Sequence, residues 1–553
     1  MTNQRSSNSR PGFTTRGTPF FLIGLFAQLG CGGTDAGSAS NGPPVAEEDR
    51  YGGTVVVSGV SDIQTMNSLV TTDYTSDQHQ AFVLFAPLAR LDEEFKAQPY
   101  LARSWEINAD TSQVILHLRE DAAWHDGVPV TANDVILTFN LAKNPATGFP
   151  NASYFDFWDA AEVIDSLTVR FTIRSHNEPF FGWARTALVP AHILSGTPPE
   201  ELAKHPFGSQ SPVGNGPFRF VERTSDAWVF EANEDFPQDL GGRPYLDRLV
   251  YRQIEDHVTR AAELRVGGID LAVDLIPPVL SGLESSAEVR VVDIDAPEYD
   301  FIAWNSKRPF FQDPQVRRAL TMAIDRGAMV RALRSGHGSV ATGPLGPWHW
   351  AYDATWSPLP VDPDSARALL DAAGWKDSDG DGIRDRDGQP FRFDLMIAPN
   401  PEREDIAVIV QAGLAAVGID VQIAIREVAA MIPAVTGPER RYDAVLVGNV
   451  SDMIVDERDS WACDQIGQPN QFTSYCNPSL DVVMDSIPIV QDREVLGGLL
   501  RRFHEIIAAD QPYTFLFYLD RINGVRGVQG VEFGVRGDWL SVHDWWVHPN
   551  DRR

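Results

Sequence analysis

Cysteine is scarce in this chain, with three in 553 residues: Cys31, Cys463 and Cys476. That excludes a disulfide-dense scaffold. Because no histidine lies between Cys463 and Cys476, a zinc cluster there is a poor competitor to other readings. Positive charge is also in deficit. Lys+Arg number 46 against 76 Asp+Glu, a net charge of -30, so neither nucleic acid nor an anionic membrane surface is expected as a partner of the main body. Catalytic signatures are missing too. There is no G-x-S-x-G elbow and no P-loop. The stretch "HEIIA", His504 to Ala508, has alanine where a zinc protease needs its second histidine. No catalytic residue, metal ligand set or cofactor is therefore assigned, and a secreted hydrolase stays only as the remote alternative.

Long apolar runs are lacking as well, with one exception. Arg5, Arg10 and Arg16 precede "FFLIGLFAQLG", and no acidic residue occurs before Asp35. A basic segment followed by a run of that length has the form of a secretory signal, here residues 1–30, and is too short for a permanent span. Cys31 follows directly, as in a bacterial lipobox, although Gln28 stands where leucine is usual. The expectation is a lipidated Cys31, a flexible tether over 31–52, and a periplasmic or cell-envelope location on a lipid anchor. A soluble secreted protein with an incidental Cys31 is the other reading. In an exported chain the close pair Cys463 and Cys476 predicts a disulfide, whose loop closure is worth about 3 kcal/mol. Two free buried thiols are the alternative.

What remains is ordinary for a globular protein, 43% hydrophobic and 22% charged residues, in a chain long enough for several lobes. "GGTVVVSG", "QVILHLRE", "TVRFTIRS", "PFRFDLMIA" and "IDVQIAIRE" read as strands. "TANDVILTFNLAKN", "HVTRAAELRVGG", "DPDSARALLDAAGW" and "REDIAVIVQAGLAAVG" read as helices. "DPQVRRALTMAIDRGAMVRALRSG" reads as one more helix, stopped at Gly336. The mixture predicts an α/β fold.

The stretch "PYLARSWEINADTSQVILHLREDAAWHDGVPVTANDVILTFN" resembles the peptide/nickel-type (cluster 5) solute-binding proteins of ABC importers, most specifically in Leu118–Arg119 and Trp124–Val135. The resemblance continues in "PVGNGPFRF", "GRPYLDRLVYRQIEDHVTRAAELRVGGIDL", "FIAWNSKRPFFQDPQVRRALTMAIDR", "SARALLDAAGW" and "AADQPYTFLFYLD", covering nearly everything after Tyr51. It implies a two-lobed periplasmic-binding-protein-like fold (type II, cluster C) with an extra subdomain in the first lobe. The first lobe is expected over 53–87, 209–297 and 511–553, the extra subdomain over 88–208, and the second lobe over 298–510. It further implies a monomeric receptor that closes on a short peptide and presents it to an ABC importer permease. An oligosaccharide, a nickel chelate or another small organic solute is the alternative ligand.

The same resemblance implies site residues. Asp452 takes the position of an aspartate that pairs with a peptide's α-amino group, while Asn449 replaces the tryptophan of the dipeptide-type pattern; Cys463 and Cys476 match that pattern's disulfide. Arg403 lies one residue from the position of an arginine that receives the ligand carboxylate in some relatives, with a surface residue at a helix start as the plainer reading. Trp304 and Asn305 are expected in the strand lining the cleft. Trp348 and Trp350, with Tyr352 and Trp356, could cover side-chain pockets or simply pack. Asp377–Gly388, "DSDGDGIRDRDG", has the spacing of a calcium loop, yet Gly388 stands where a bidentate glutamate is required. Relatives carry the same motif as a turn after "AGW", so a turn is expected, with incidental calcium binding left open.

Overall fold

Two long strands, Val289–Trp304 and Tyr513–Arg526, organise the molecule. The computed structural model describes residues 45–174, 176–451 and 457–553. The two strands run antiparallel and pair over two stretches: Val289–Asp295 against Asp520–Arg526, then Tyr299–Ala303 against Tyr513–Tyr518. Between them, from Asp295 to Tyr299, the register shifts. On one side of this break the sheet continues through Leu271–Leu275, Thr54–Gly59, Arg248–Gln253, Ala227–Ala232 and Phe218–Arg223. On the other side it continues through Ala444–Val450, Arg392–Ile397 and Asp420–Ile425. The chain thus crosses twice between two half-sheets, which is the two-lobed α/β architecture the sequence implied.

Each half-sheet has parallel strands at its heart: Thr54–Gly59 with Arg248–Gln253 and Leu271–Leu275, and Arg392–Ile397 with Asp420–Ile425 and Ala444–Val450. Parallel strands are covered on both faces, hence the Val/Ile/Leu-rich runs. On the crossing strand, Tyr299, Phe301 and Ala303 enter one core while Ile302 and Trp304 enter another. This is the period-two alternation of a strand buried on both sides. Val450 pairs with Glu298, and Leu275 lies opposite Ile522. The carboxyl ends of both parallel sets therefore point at the register break, where open α/β sheets hold their ligands.

A separate antiparallel sheet, in the order Ala102–Ile107, Gln113–Leu118, Thr168–Ile173, Trp158–Asp165, lies within residues 88–208. Helix Ala132–Lys143 packs on it, started by Thr131, whose backbone N–H donates to Asp134 (2.7 Å).

One sequence expectation needs correction. The segment read as a single helix ending at Gly336 is two, Pro314–Met322 and Arg326–Leu333. Asp325 interrupts it by acting as a new N-cap, accepting from the backbone of Ala328 (2.8 Å). The aspartate-rich stretch is a turn into a short hairpin, Asp385–Arg386 against Gln389–Pro390. Asp377 accepts from Gly380 (2.7 Å) and Gly382 (3.1 Å), and Asp381 accepts from Ile383 (2.7 Å). Gly380 and Gly382 adopt φ of 81° and 89°, where a side chain is strained. Among the described residues, no helix is long and apolar enough to cross a membrane. Cys31, with the expected signal and most of the tether, lies outside the described residues.

Candidate functional site

At the end of strand Ala444–Val450 a cavity of about 240 Å³ opens beside the register break. Its floor comes from the crossing strands, through Tyr299, Phe301 and Tyr513. Phe301 stacks on Tyr513 with ring centroids 4.0 Å apart, and Trp461 lies 4.5 Å from the same ring. Helix Val428–Thr436 adds Met431, Ile432 and Val435 as one wall. The opposite wall holds Trp461 and Phe472, with Asn449, Glu457 and Ser460 as polar members. Asn449 donates to the Tyr299 hydroxyl (3.2 Å). The position that departs from the dipeptide-type tryptophan thus fixes a phenol in the cavity floor.

Cys463 and Cys476 are disulfide-bonded, as expected. The bridge ties the segment bearing Phe472 to that bearing Trp461, so it supports one wall of the cavity. Replacing both cysteines by serine should lower the unfolding free energy by about 3 kcal/mol. Urea denaturation of the variant against the oxidised wild type measures it. A loss below about 1 kcal/mol would mean that packing alone holds this wall.

The other expected residues are placed differently. Asp452 lies outside the described residues. Trp304 is fully buried and its indole donates to Thr514 Oγ1 (3.1 Å); Asn305 is buried and its amide donates to the carbonyls of Arg440 (3.1 Å) and Tyr442 (2.7 Å). Neither lines the cavity: Trp304 is on the even-numbered face of the crossing strand, which turns into the neighbouring core, and Asn305 lies just past the strand's end. Trp348 is buried, edge-on to Tyr518 (5.2 Å), and Trp356 stacks on His504 (3.7 Å). Trp350 carries the Arg493 guanidinium on its face (3.5 Å). Arg493 also reaches Glu178 (3.5 Å) and Glu94 (3.8 Å), so Trp350 belongs to a junction with the segment 94–178. None of the three lines the cavity.

Arg403 starts helix Pro401–Ala415, where its Nη2 lies 3.6 Å from Asp300. A Cβ on Gly448 would sit 2.6 Å from the Asp300 carboxylate and 3.1 Å from the Arg403 guanidinium, so a side chain there would have to displace the ends of this pair. Burial pushes the Asp300 carboxyl up to about 6, against the opposing pull of Arg403. Its folded value lies above the ordinary 3.8, so folding takes up a proton. The stability it contributes is full below about pH 4 and is lost as pH rises through about 6. Asp300→Asn should remove that slope and gain about 2–3 kcal/mol at neutral pH. Urea midpoints at acid and neutral pH test it, and a variant weaker than wild type at neutral pH refutes it.

The cavity residues Tyr299, Phe301, Met431, Glu457, Trp461, Phe472 and Tyr513 were not singled out from sequence. The alternation in "EYDFIAW" and "YTFLFYLD" held the signal, since it puts Tyr299, Phe301 and Tyr513 on one face.

Two half-sheets joined by two crossing strands, with a cavity where the parallel strands end, define a two-lobed solute receptor of the periplasmic-binding-protein type. Residues 96–467 match the family described as bacterial extracellular solute-binding proteins, family 5 (middle region), and the chain belongs to that family. The oligopeptide-binding protein AppA of Bacillus subtilis (strain 168) is 30% identical over 524 residues, 94% of this chain and 95% of AppA. The structure of AppA from Bacillus subtilis with a nonapeptide superposes with a TM-score of 0.75, covering 90% of this chain and 99% of AppA. NikZ from Campylobacter jejuni, solved with Ni(L-His), shares the fold at 24% identity and a TM-score of 0.73, covering 89% of this chain and 99% of NikZ.

Proposed function

We propose that this chain is the extracytoplasmic receptor of an ABC importer and captures a short peptide between its two lobes. The observation that supports it most is the cavity at the carboxyl end of Ala444–Val450, in a chain similar along 94% of its length to an oligopeptide-binding protein. Closure would bend the crossing strands at the register break, and the ligand would select the closed state by binding it more tightly. The receptor acts as a monomer with the lobe and subdomain boundaries expected from the sequence, and hands its ligand to the permease. It catalyses no reaction itself. Cleavage after Gly30 and lipidation of Cys31 would hold it on a bacterial membrane by the tether 31–52.

Asp452 follows directly on Ser451, past the strand that lines the cavity. A carboxylate there would meet the peptide's α-ammonium, a charge-assisted pair that strengthens as the lobes exclude water. Native mass spectrometry of freshly purified protein should release peptides. A co-purified oligosaccharide or metal chelate without peptide overturns the reading. Asp452→Ala should weaken binding of a free-amine peptide by about tenfold or more, about 1.4 kcal/mol, in calorimetry. Unchanged affinity removes Asp452 from the site.

A further inference from the structure

Three donors from distant stretches of the chain meet beside the register break: Asp293, His337 and Asp520, with ligating atoms all within 4.8 Å of one another. Asp293 and Asp520 come from the two crossing strands. Asp295 pairs directly with Asp520 and, two residues on from Asp293, shares its face, so three carboxylates crowd one face of the strand pair. Like charges opposed in this way destabilise a sheet, and a bound cation would offset them. His337 reaches them from the loop after helix Arg326–Leu333, with its Nδ1 2.7 Å from Asp293 Oδ2.

That loop is held against the strand. Ser339 and Val340 pair with Tyr518 and Phe517, and Gly338 between them and the histidine has a φ of 117°. A Cβ on Gly338 would meet the Tyr518 carbonyl at 2.5 Å, so glycine lets the backbone press close and sets the imidazole beside the carboxylates. Asp293 and His337 also line a cavity of about 380 Å³, which gives an ion and its waters access. Arg290 lines it too, with its guanidinium donating to the Val531 carbonyl (3.2 Å). Donors about 2.0–2.2 Å from a tetrahedral ion lie roughly 3.3 Å apart. That spacing falls between the 2.7 Å of His337 and Asp293 and the 4.8 Å limit of the group. One imidazole among carboxylates suits zinc and its neighbours, whereas calcium and magnesium take oxygen ligands.

We propose that Asp293, His337 and Asp520 form a binding site for a divalent transition ion of the zinc type, which ties the His337 loop to both crossing strands. Water would complete the coordination. The inference stands apart from the peptide-receptor reading, because none of the three residues lines the cavity at the end of Ala444–Val450.

The test is calorimetry of the chelator-treated protein with zinc alone. Zinc should bind saturably, and its affinity should fall about tenfold or more in His337→Gln and in Asp520→Asn. Glutamine can keep a hydrogen bond to Asp293, so its loss of zinc separates ligation from that bond. The aspartate turn supplies the control, since Asp377, Asp379 and Asp381 also bring their oxygens within 4.8 Å of one another. Asp379→Asn should bind zinc as the wild type does. No saturable binding, unchanged affinity in the two site variants, or a loss confined to Asp379→Asn overturns the site. If the site variants fail to fold, the wild type decides. Zinc should then protect His337 from diethyl pyrocarbonate, as mapped by peptide mass spectrometry, and protection of other histidines alone, or of none, overturns the proposal.

Discussion

Arg521→Ala should lower the unfolding free energy by about 3–5 kcal/mol. Arg521 lies on the crossing strand Tyr513–Arg526, next to the register break, and is 8% exposed. Its guanidinium donates to Glu298 (2.9 Å) and to the Tyr74 hydroxyl, and stands 3.7 Å from Asp538. Tyr74 opens the helix after the first half-sheet's leading strand, Glu298 belongs to the break itself, and Asp538 to the C-terminal segment. One cation thus joins three pieces of chain beside the register break.

Asp538 makes the loss large. It is 2% exposed, its oxygens accept from Asn523 (2.8 Å) and Tyr74 (3.3 Å), and Arg521 is its ion-pair partner. Burial already pushes this carboxyl above its ordinary value, with Arg521 opposing. Without Arg521 the carboxyl rises further. A carboxyl raised in the folded state contributes stability that is full below its unfolded value and lost as pH rises through its folded value. The variant's deficit should therefore be smaller at acid pH than at neutral pH, as read by urea denaturation at both. Asp538→Asn in the same background should restore part of the loss. A pH-independent deficit, or no recovery in the double variant, would mean that the buried charge is not the cause.

Much of the fold was legible because its signals are local. The β-branching of "TVVVSG", and the glycines that end "HVTRAAELRVGG", with Gly267 in the left-handed region after the helix, follow from the geometry of short segments. The missed helix break at Asp325 has another origin. The apolar positions of both helices share one period, so nothing but the capping aspartate marks the interruption. The site was less legible. Trp304 is conspicuous in sequence, but the direction a strand residue faces depends on register against a partner more than 200 residues away, Tyr513–Tyr518. Arg403 and Trp350 have partners, Asp300 and Arg493, from distant segments. The cavity is made by six segments meeting, and only the alternation of two of them, the crossing strands, is written locally.

Arg326→Met should cost about 3–5 kcal/mol for a different reason, the loss of hydrogen bonds to three backbone carbonyls. Arg326, 3% exposed, donates to three backbone carbonyls: Ala341 (3.1 Å), Phe515 (2.8 Å) and Leu359 (2.6 Å). Burial pulls its guanidinium down to about 10, which leaves it charged at neutral pH. Ala341 and Leu359 bracket the segment containing Trp348, Trp350 and Trp356, and Phe515 belongs to the crossing strand. One side chain therefore pins both ends of the tryptophan-rich loop to the crossing strand. Methionine keeps most of the apolar stem, so the substitution leaves packing nearly intact and removes the three donors. Each buried carbonyl without a partner costs about 1–3 kcal/mol, and relaxation of the loop recovers part of the total. Arg326→Lys, which keeps the charge and loses the planar fork, should fall between the two. The loss should appear in urea denaturation and as a weakened near-ultraviolet circular dichroism signal from the tryptophans. A loss below about 1 kcal/mol, or lysine no better than methionine, would show that the three carbonyls do not depend on this guanidinium.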